Sequence, residues 1–469
     1  MPTSTTTTIT PSPTTTTVVV NVDNLQGPQG PPGAIQLPLY RTAAPVNGVT
    51  DAADGQLVRV SAVSGVPPFT NYLCRRNGAL STTTFELSST RSASLFIGSF
   101  DPLTLAQISA KPSNAVLLRK YLVALAKVRS GDRRNARVMC IGDSVTAGAG
   151  SPLGASGGVI NYVGCTPFSY PAQIAKILTL RGIPAFQSGI FGKADYHGSN
   201  TTVAQNDPRW SLGTGWAQGV WALTLGGTTL VNTNTTNPAS FTPASIFDTI
   251  ELWYQPIQPI AINIGGGTIG TAPSTGANTT SYRLQSCARG LNTVNFVPNG
   301  GFLCGITGVN TYDSTIPAVS IIQTGWGGAK TGDFLGGDPG VNPNVTNALI
   351  SRDLTIVMLG LNDANQNVSA VNYIANMTQI CSTSLAAGGS MIIVGPTPSN
   401  IAPALISQYL APLQALAASI GAVFINPADR FVNVATFEAD GLITSDLTHP
   451  NKNGYAAIAE MIADAMTGY

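Results

Sequence analysis

Charge is scarce in this sequence and histidine scarcer still. Charged side chains are 10% of 469 residues, 23 Lys and Arg against 22 Asp and Glu, where an average soluble protein carries about 25%. A net charge of +1 without basic clustering excludes the footprint of a nucleic-acid binder. The six cysteines, Cys74, Cys140, Cys165, Cys287, Cys304 and Cys381, lack Cys-x-x-Cys spacing, so no zinc or redox motif emerges. Cys140 reads as a small core residue; Cys287 and Cys304 are expected to stay unpaired. No run approaches the ~20 apolar residues of a membrane helix, so no membrane insertion is expected. The N-terminus has neither the basic start nor the apolar stretch of a secretory signal; an extracellular role would need another route out. Only two histidines, His197 and His449, are present, which narrows any chemistry that needs an imidazole base.

What the chain has in plenty is Gly (50) and Pro (32), with much Thr, Ser and Asn. This is the composition of a turn-rich, β-rich protein with an uncharged polar surface. Residues 1–33 begin with threonine tracts that cannot bury enough surface to fold alone. They end in Gly27-Pro-Gln-Gly-Pro-Pro-Gly33, two Gly-X-Y triplets. Two triplets are too few to hold a collagen trimer, so a polyproline-like linker and a trimer-associated one stand about level. The run resembles linkers of bacteriophage tail fibres and tailspikes. Residues 34–110 mix short apolar runs, Leu57–Val63 and Ser94–Ile97 among them, with turns, and read as a small β-rich module.

From 111 the texture is α/β. Val116, Leu117, Tyr121, Leu122, Leu125 and Val128 share one helical face over 114–130, with Gly131 as the stop. Val138–Ile141 has the length and branching of a buried strand. A helix is expected at 170–180 and a strand at 185–191. Residues 193–317 alternate apolar and polar between Gly, Asn and Pro clusters, the pattern of an all-β, sandwich-like insertion. Strands then follow at 319–323, 354–359, 391–394 and 422–425, with helices near 369–384, 403–419 and 452–466. The fold class is therefore α/β: a parallel sheet flanked by helices over 111–192 and 318–469, interrupted by a β-module.

Four polar motifs follow apolar strands or open a helix. Gly142-Asp143-Ser144 follows the first strand, where open α/β sheets bind ligands. Gln323-Thr-Gly325-Trp-Gly327-Gly328 follows the strand at 319, and its glycines let backbone N–H groups approach a ligand. Gly360-Leu-Asn362-Asp363 follows the strand at 354; an Asn amide there can donate to an oxyanion. Asp446-Leu-Thr-His449 precedes the last helix, and its carboxylate can orient one ring nitrogen while the other faces a nucleophile. Each has an ordinary alternative. The first and third could be simple turns, and Asp446 could merely cap the following helix.

Together and in this order, the motifs resemble those of the SGNH (GDSL-like) hydrolases, a family of esterases and deacetylases. The resemblance covers about 136–192 and 318–469. It implies Ser144 as nucleophile, His449 as base, Asp446 as its acid partner, and Ser144, Gly328 and Asn362 as oxyanion-hole donors. It implies no metal and no cofactor. The glycine block departs from the family pattern, with Gln323 in the usual place of Asn and Gly327 in that of Ser. Gly325 and Gly327 thus compete with Gly328 as donor, and Gly192 is a weaker competitor. His197 is read as incidental, and Gly148–Gly158 as a substrate-side loop.

The implied chemistry is acyl transfer. The aromatics of the insertion, Trp210, Trp216, Trp221, Trp253 and Tyr254, are either sugar-stacking platforms or sandwich core, and core is expected for most. The expectation is a serine esterase removing O-acetyl groups from a bacterial surface polysaccharide, carried on a phage tail through its N-terminus and, by analogy with such fibres, trimeric. A secreted carbohydrate acetyl esterase is the enzymatic alternative. A sugar-binding receptor fibre with a retired site is the non-enzymatic one, and the intact Ser144, Asp446 and His449 argue against it.

Overall fold

The computed structural model describes four strands before residue 102, as backbone. Beyond them it describes 114–133, 135–151, 155–156, 159–160, 162–189, 206–219, 224–227, 229–232, 236–274, 280–299, 304–336 and 343–468. The Thr-rich and Gly-Pro segments, the run at 94–97, Gly192, His197, Trp221 and parts of the loop at 148–158 lie outside these residues. The chain divides into two units, Met1–Pro102 and Leu103–Tyr469. In the first, β1 (Leu39–Arg41), β2 (Leu57–Val60), β3 (Thr70–Arg76) and β4 (Thr83–Leu87) form one sheet in that order. β1 and β2 are parallel, the other pairs antiparallel.

The first described elements of the second unit are a short helical turn, Asn114–Leu117, and α1 (Arg119–Ser130), which stops at Gly131 with φ +80°. That left-handed conformation is the usual reason for glycine past a helix end. Tyr121, Ala124, Leu125 and Val128 form the buried face, at helical spacing. Val116 does not belong to it: it is 63% exposed. The helix breaks at Leu118, whose φ of −94° and ψ of 13° are not helical, and buried Leu118 takes the inward place.

β5 (Asn135–Gly142) is followed by the single turn α2 (Ser144–Ala147), then α3 (Tyr170–Leu180) and β6 (Ala185–Gln187). The insertion follows, with β7 (Trp210–Leu212), β8 (Trp216–Gly219), β9 (Thr229–Asn232), β10 (Ala239–Phe241), β11 (Phe247–Gln255), β12 (Ile260–Ile264), β13 (Gly267–Ala272), β14 (Ser281–Gly290), β15 (Val294–Pro298) and β16 (Cys304–Tyr312). They make two five-stranded antiparallel sheets, ordered β8-β9-β16-β11-β14 and β13-β12-β15-β10-β7. The chain then returns through β17 (Ala318–Gly325), β18 (Leu354–Met358), α4 (Leu361–Asn365), α5 (Ala370–Ala386), β19 (Ser390–Val394), α6 (Pro403–Ile420), β20 (Val423–Ile425) and α7 (Lys452–Thr467).

Six of these strands form one parallel sheet, β20-β19-β18-β5-β17-β6, flanked by helices; α7 packs on α3 and α5 on α6. The chain runs from β5 to one edge, back to β17, then across to β18 and the other edge. The reversal falls at β5, and such a reversal leaves a crevice at the carboxyl ends of the strands.

Alternation along β11 explains how the insertion is joined on. Ile250, Leu252 and Tyr254 enter the core between the two β-sheets, with Trp210 and Trp216. Trp253 faces the other way and belongs to the hydrophobic core of the parallel sheet. Four of the five aromatics singled out in the sequence are thus buried, which removes them as sugar platforms. Glu251, on the face of Trp253, is fully buried and receives bonds from Arg137 of β5, from Tyr282 (2.8 Å) and from Asn310 (2.6 Å). Cys287 and Cys304 are both free thiols. Among the described residues, no helix is long and apolar enough to cross a membrane.

Candidate active site

Three neighbouring strands end level with one another. Gly142 of β5 pairs with Gly325 of β17 on one side and Met358 of β18 on the other. The residues next in sequence, Ser144, Gly327-Gly328 and Asn362, therefore leave the sheet side by side.

The serine turn is built by close approach. A Cβ at Gly142 would stand 2.4 Å from the Met358 carbonyl oxygen, so only glycine fits beneath it. Asp143 caps α2, its Oδ1 accepting from the Val145 N–H at 2.9 Å. Gly148, with φ +92°, closes the turn by donating to the Ser144 and Val145 carbonyls. Below, Gln323 donates to the Thr146 carbonyl at 2.8 Å and accepts from Ser169 and Gln187. Gln323 is thus a strut under the turn. Asp143 is buried, and its carboxyl is pushed up to about 7, first by burial, with Asp363 adding to the rise and Val145 and His449 opposing it.

His449 reaches Ser144 from the loop before α7. Its Nε2 lies 2.8 Å from Ser144 Oγ, and its Nδ1 lies 2.6 Å from Asp446 Oδ2. The loop is closed on itself by a bridge between Ile443 and Pro450 and by the Thr444 N–H on the His449 carbonyl at 2.9 Å. Asp446 Oδ1 accepts from the Thr444 hydroxyl (2.5 Å) and the N–H groups of Thr448 (2.9 Å) and His449 (3.0 Å). Burial by itself would raise this carboxyl. The hydrogen bond and charge of His449, with the other donors, outweigh it and hold Asp446 well below the usual carboxylate range. Leu447 inside the loop takes φ +52°, a conformation costing a non-glycine residue roughly 1–3 kcal/mol and tolerated where the surroundings enforce it. Asp446 does not cap α7; Asn451 does, accepting from Asn453 and Gly454.

On the opposite side, Trp326-Gly327-Gly328-Ala329 forms a four-residue turn, closed by the Ala329 N–H on the Trp326 carbonyl at 3.2 Å. Gly328 has φ +76°, as the third residue of a type II turn demands. The Trp326 N–H is taken by the Gly142 carbonyl at 2.8 Å, which leaves the Gly327 and Gly328 amides without an acceptor among the described residues. Gly325 ends β17, paired with Gly142, and a Cβ on it would lie 2.3 Å from Ala147 N. It is the glycine that lets β17 pass under α2. Asn362 Nδ2 donates to the Ala329 carbonyl at 3.0 Å, which occupies one of its two amide hydrogens and orients the other. Asp363, fully buried, accepts from the Thr331 N–H (3.0 and 3.2 Å) and hydroxyl (2.6 Å). Its carboxyl is pushed up to about 6, chiefly by burial.

The structure thus brings Ser144, His449 and Asp446 into one hydrogen-bonded line and places the Gly327-Gly328 turn and Asn362 just past the ends of the two strands that flank β5. Thr331, Thr444 and Gln187 support this arrangement without standing out in the sequence. Threonine is abundant here, and nothing local distinguishes these three.

A parallel α/β sheet with a Ser–His–Asp line at its carboxyl edge is the framework of a serine hydrolase. Residues 309–457 match the GDSL-like lipase/acylhydrolase family, and the chain carries a domain of that family. The match begins beyond most of the insertion; the Ser144 strand, upstream of it, is returned to the domain by its pairing with β17 and β18. No curated protein sequence matches the chain. Among solved structures, one described as a peptidoglycan O-acetylesterase in action is similar over 74% of this chain and 95% of its own, at 16% identity and a TM-score of 0.55. A lipase/acylhydrolase from Enterococcus faecalis matches 32% of this chain and 77% of its own, at 18% identity and a TM-score of 0.27. An acetylxylan esterase from Geobacillus stearothermophilus matches 32% and 73%, at 14% identity and a TM-score of 0.27.

Proposed function

We propose that the chain is a serine esterase that removes O-acetyl groups from a bacterial surface polysaccharide. The observation that carries this reading is the line Ser144 Oγ–His449 Nε2 (2.8 Å) and His449 Nδ1–Asp446 Oδ2 (2.6 Å). His449 takes the hydroxyl proton as Ser144 attacks the ester carbonyl, and Asp446 fixes the tautomer and stabilises the imidazolium. The tetrahedral oxyanion is received by the Ser144 N–H, the glycine-turn amide at Gly328 and the free amide hydrogen of Asn362. Collapse expels the sugar hydroxyl, which takes its proton from His449. Water, activated by the same imidazole, then releases acetate and restores the serine.

The substrate class draws support from the fold shared with the peptidoglycan O-acetylesterase, which extends well beyond the half of the chain occupied by the hydrolase segments. It also fits the uncharged polar composition. Attachment to a phage tail, and assembly as a trimer, rest on the Thr-rich and Gly-Pro-Gln-Gly-Pro-Pro-Gly segments and belong to the same proposal. Light scattering of the full chain checks the trimer.

The test compares wild type with Ser144→Ala on acetylated bacterial polysaccharides and on p-nitrophenyl acetate, following acetate and nitrophenol. Loss of a nucleophilic serine costs about 10⁶ in turnover in a related mechanism. Release by wild type alone supports the reading. Release by neither protein, with polysaccharide binding kept, overturns it in favour of a sugar-recognising fibre.

A further inference from the structure

The β-insertion reaches the catalytic end of the hydrolase through residues 224–227, all of them buried. Leu225 belongs to the core of the parallel sheet, with Trp326, and not to the core between the β-sheets. Gly227 lies flat against the indole of Trp326. A Cβ there would stand 2.7, 2.9 and 3.0 Å from indole Cδ2, Cε2 and Cγ. Another contact of the indole is the Phe334 ring, its centroid 5.7 Å away at 58°. Trp326 is fully buried, so the ring has no solvent to yield into. Its backbone opens the turn that carries the Gly327 and Gly328 amides, and its N–H is tied to Gly142, two residues before the nucleophile.

We infer that Gly227 is a positioning residue of the esterase: through the Trp326 indole it sets where the Gly327-Gly328 amides stand relative to Ser144. The insertion is then part of the catalytic apparatus as well as an added module. The inference rests on the ester-hydrolysis reading above. Its physical basis is that a close-packed indole transmits displacement, and that a misplacement of about 1 Å at an oxyanion donor costs up to about 10² in rate.

The experiment pairs Gly227→Ala with Gly266→Ala in the full chain. Both glycines have left-handed backbone, φ +80° and +84°, so both substitutions bear similar backbone strain. Gly266 has nothing within 4 Å of the added methyl. With p-nitrophenyl acetate, Gly227→Ala is expected to lower kcat by about 10–10² with KM within about twofold, whereas Gly266→Ala keeps wild-type kcat. Trp326→Phe approaches the contact from the other side, is expected to show the same split, and decides the matter should Gly227→Ala not fold. Wild-type kcat in Gly227→Ala or in Trp326→Phe, an equal loss in Gly266→Ala, or a change confined to KM would overturn the inference while leaving the esterase reading intact. A wild type as inactive as Ser144→Ala would overturn both.

Discussion

Arg137 of the hydrolase sheet and Glu251 of the inserted sheet form an ion pair whose carboxylate is wholly withdrawn from water. The pair ties the parallel sheet to the inserted sheet across 114 positions of sequence. Removing one partner of a buried pair leaves a charge without compensation and costs about 3–5 kcal/mol, whereas replacing both with apolar groups of similar size is often neutral. Glu251→Ala is therefore expected to lower the urea midpoint by the equivalent of about 3 kcal/mol or more at unchanged slope. The double variant Arg137→Met/Glu251→Leu should recover most of it. Equal midpoints for wild type and Glu251→Ala would show that the pair contributes nothing.

Asp446→Asn tests the orientation of the base. The amide can keep the bonds from Thr444, Thr448 and His449 N–H to its oxygen. It then presents an NH₂ group to His449 Nδ1 and favours the wrong tautomer. In a comparable triad this substitution costs about 10⁴ in kcat. A similar loss is expected here on p-nitrophenyl acetate, with a melting temperature close to wild type. A variant within tenfold of wild type would mean that His449 does not depend on Asp446.

How much of this was legible beforehand differs by element. The parallel sheet and its helices could be read because each strand is a short apolar run and each helix has one apolar face: the helix expected at 170–180 is Tyr170–Leu180, and the strand expected at 391–394 is Ser390–Val394. The Ser144–His449–Asp446 line could be approached because histidine is so rare that few partners compete. Long-range packing was not legible. Trp253 and Tyr254 are adjacent and equally apolar, yet strand alternation sends them into different cores. Nor does the glycine run itself separate Gly325, which ends β17 against Ala147, from Gly327 and Gly328, whose amides have no acceptor among the described residues. Val116 falls off the apolar face because one non-helical residue, Leu118, shifts the helical phase.

Asn362→Ala probes the oxyanion side. The Asn362 amide is held by the Ala329 carbonyl, so its second hydrogen is directed before substrate arrives, which is the condition under which such a donor acts mainly in the transition state. Loss of one donor costs about 10²–10³ in kcat in a comparable hole. That loss, with KM within a few-fold, is the expected result. An equal effect on KM with kcat preserved would make Asn362 a ground-state contact instead.

The two buried acids beside the site give the fold a definite pH dependence. Asp143 and Asp363 have folded-state pKa values of about 7 and about 6, raised above the ordinary 3.8 chiefly by burial. The folded state therefore holds protons that the unfolded chain releases near pH 4. Stability from these groups is fully present below that point and is lost as pH rises through 6 to 7. Asp446 has the opposite sign: its lowered pKa gives stability that is present above about pH 4 and lost only in stronger acid. Between pH 4.5 and 7.5 the urea midpoint of wild type is thus expected to fall. Asp143→Asn keeps an oxygen for the Val145 N–H and cannot ionise, so its midpoint should fall less over the same interval. A wild-type midpoint that rises toward pH 7.5, or a variant that follows wild type throughout, would mean that Asp143 is already a carboxylate at pH 4.5 and that His449 and Val145 together outweigh its burial.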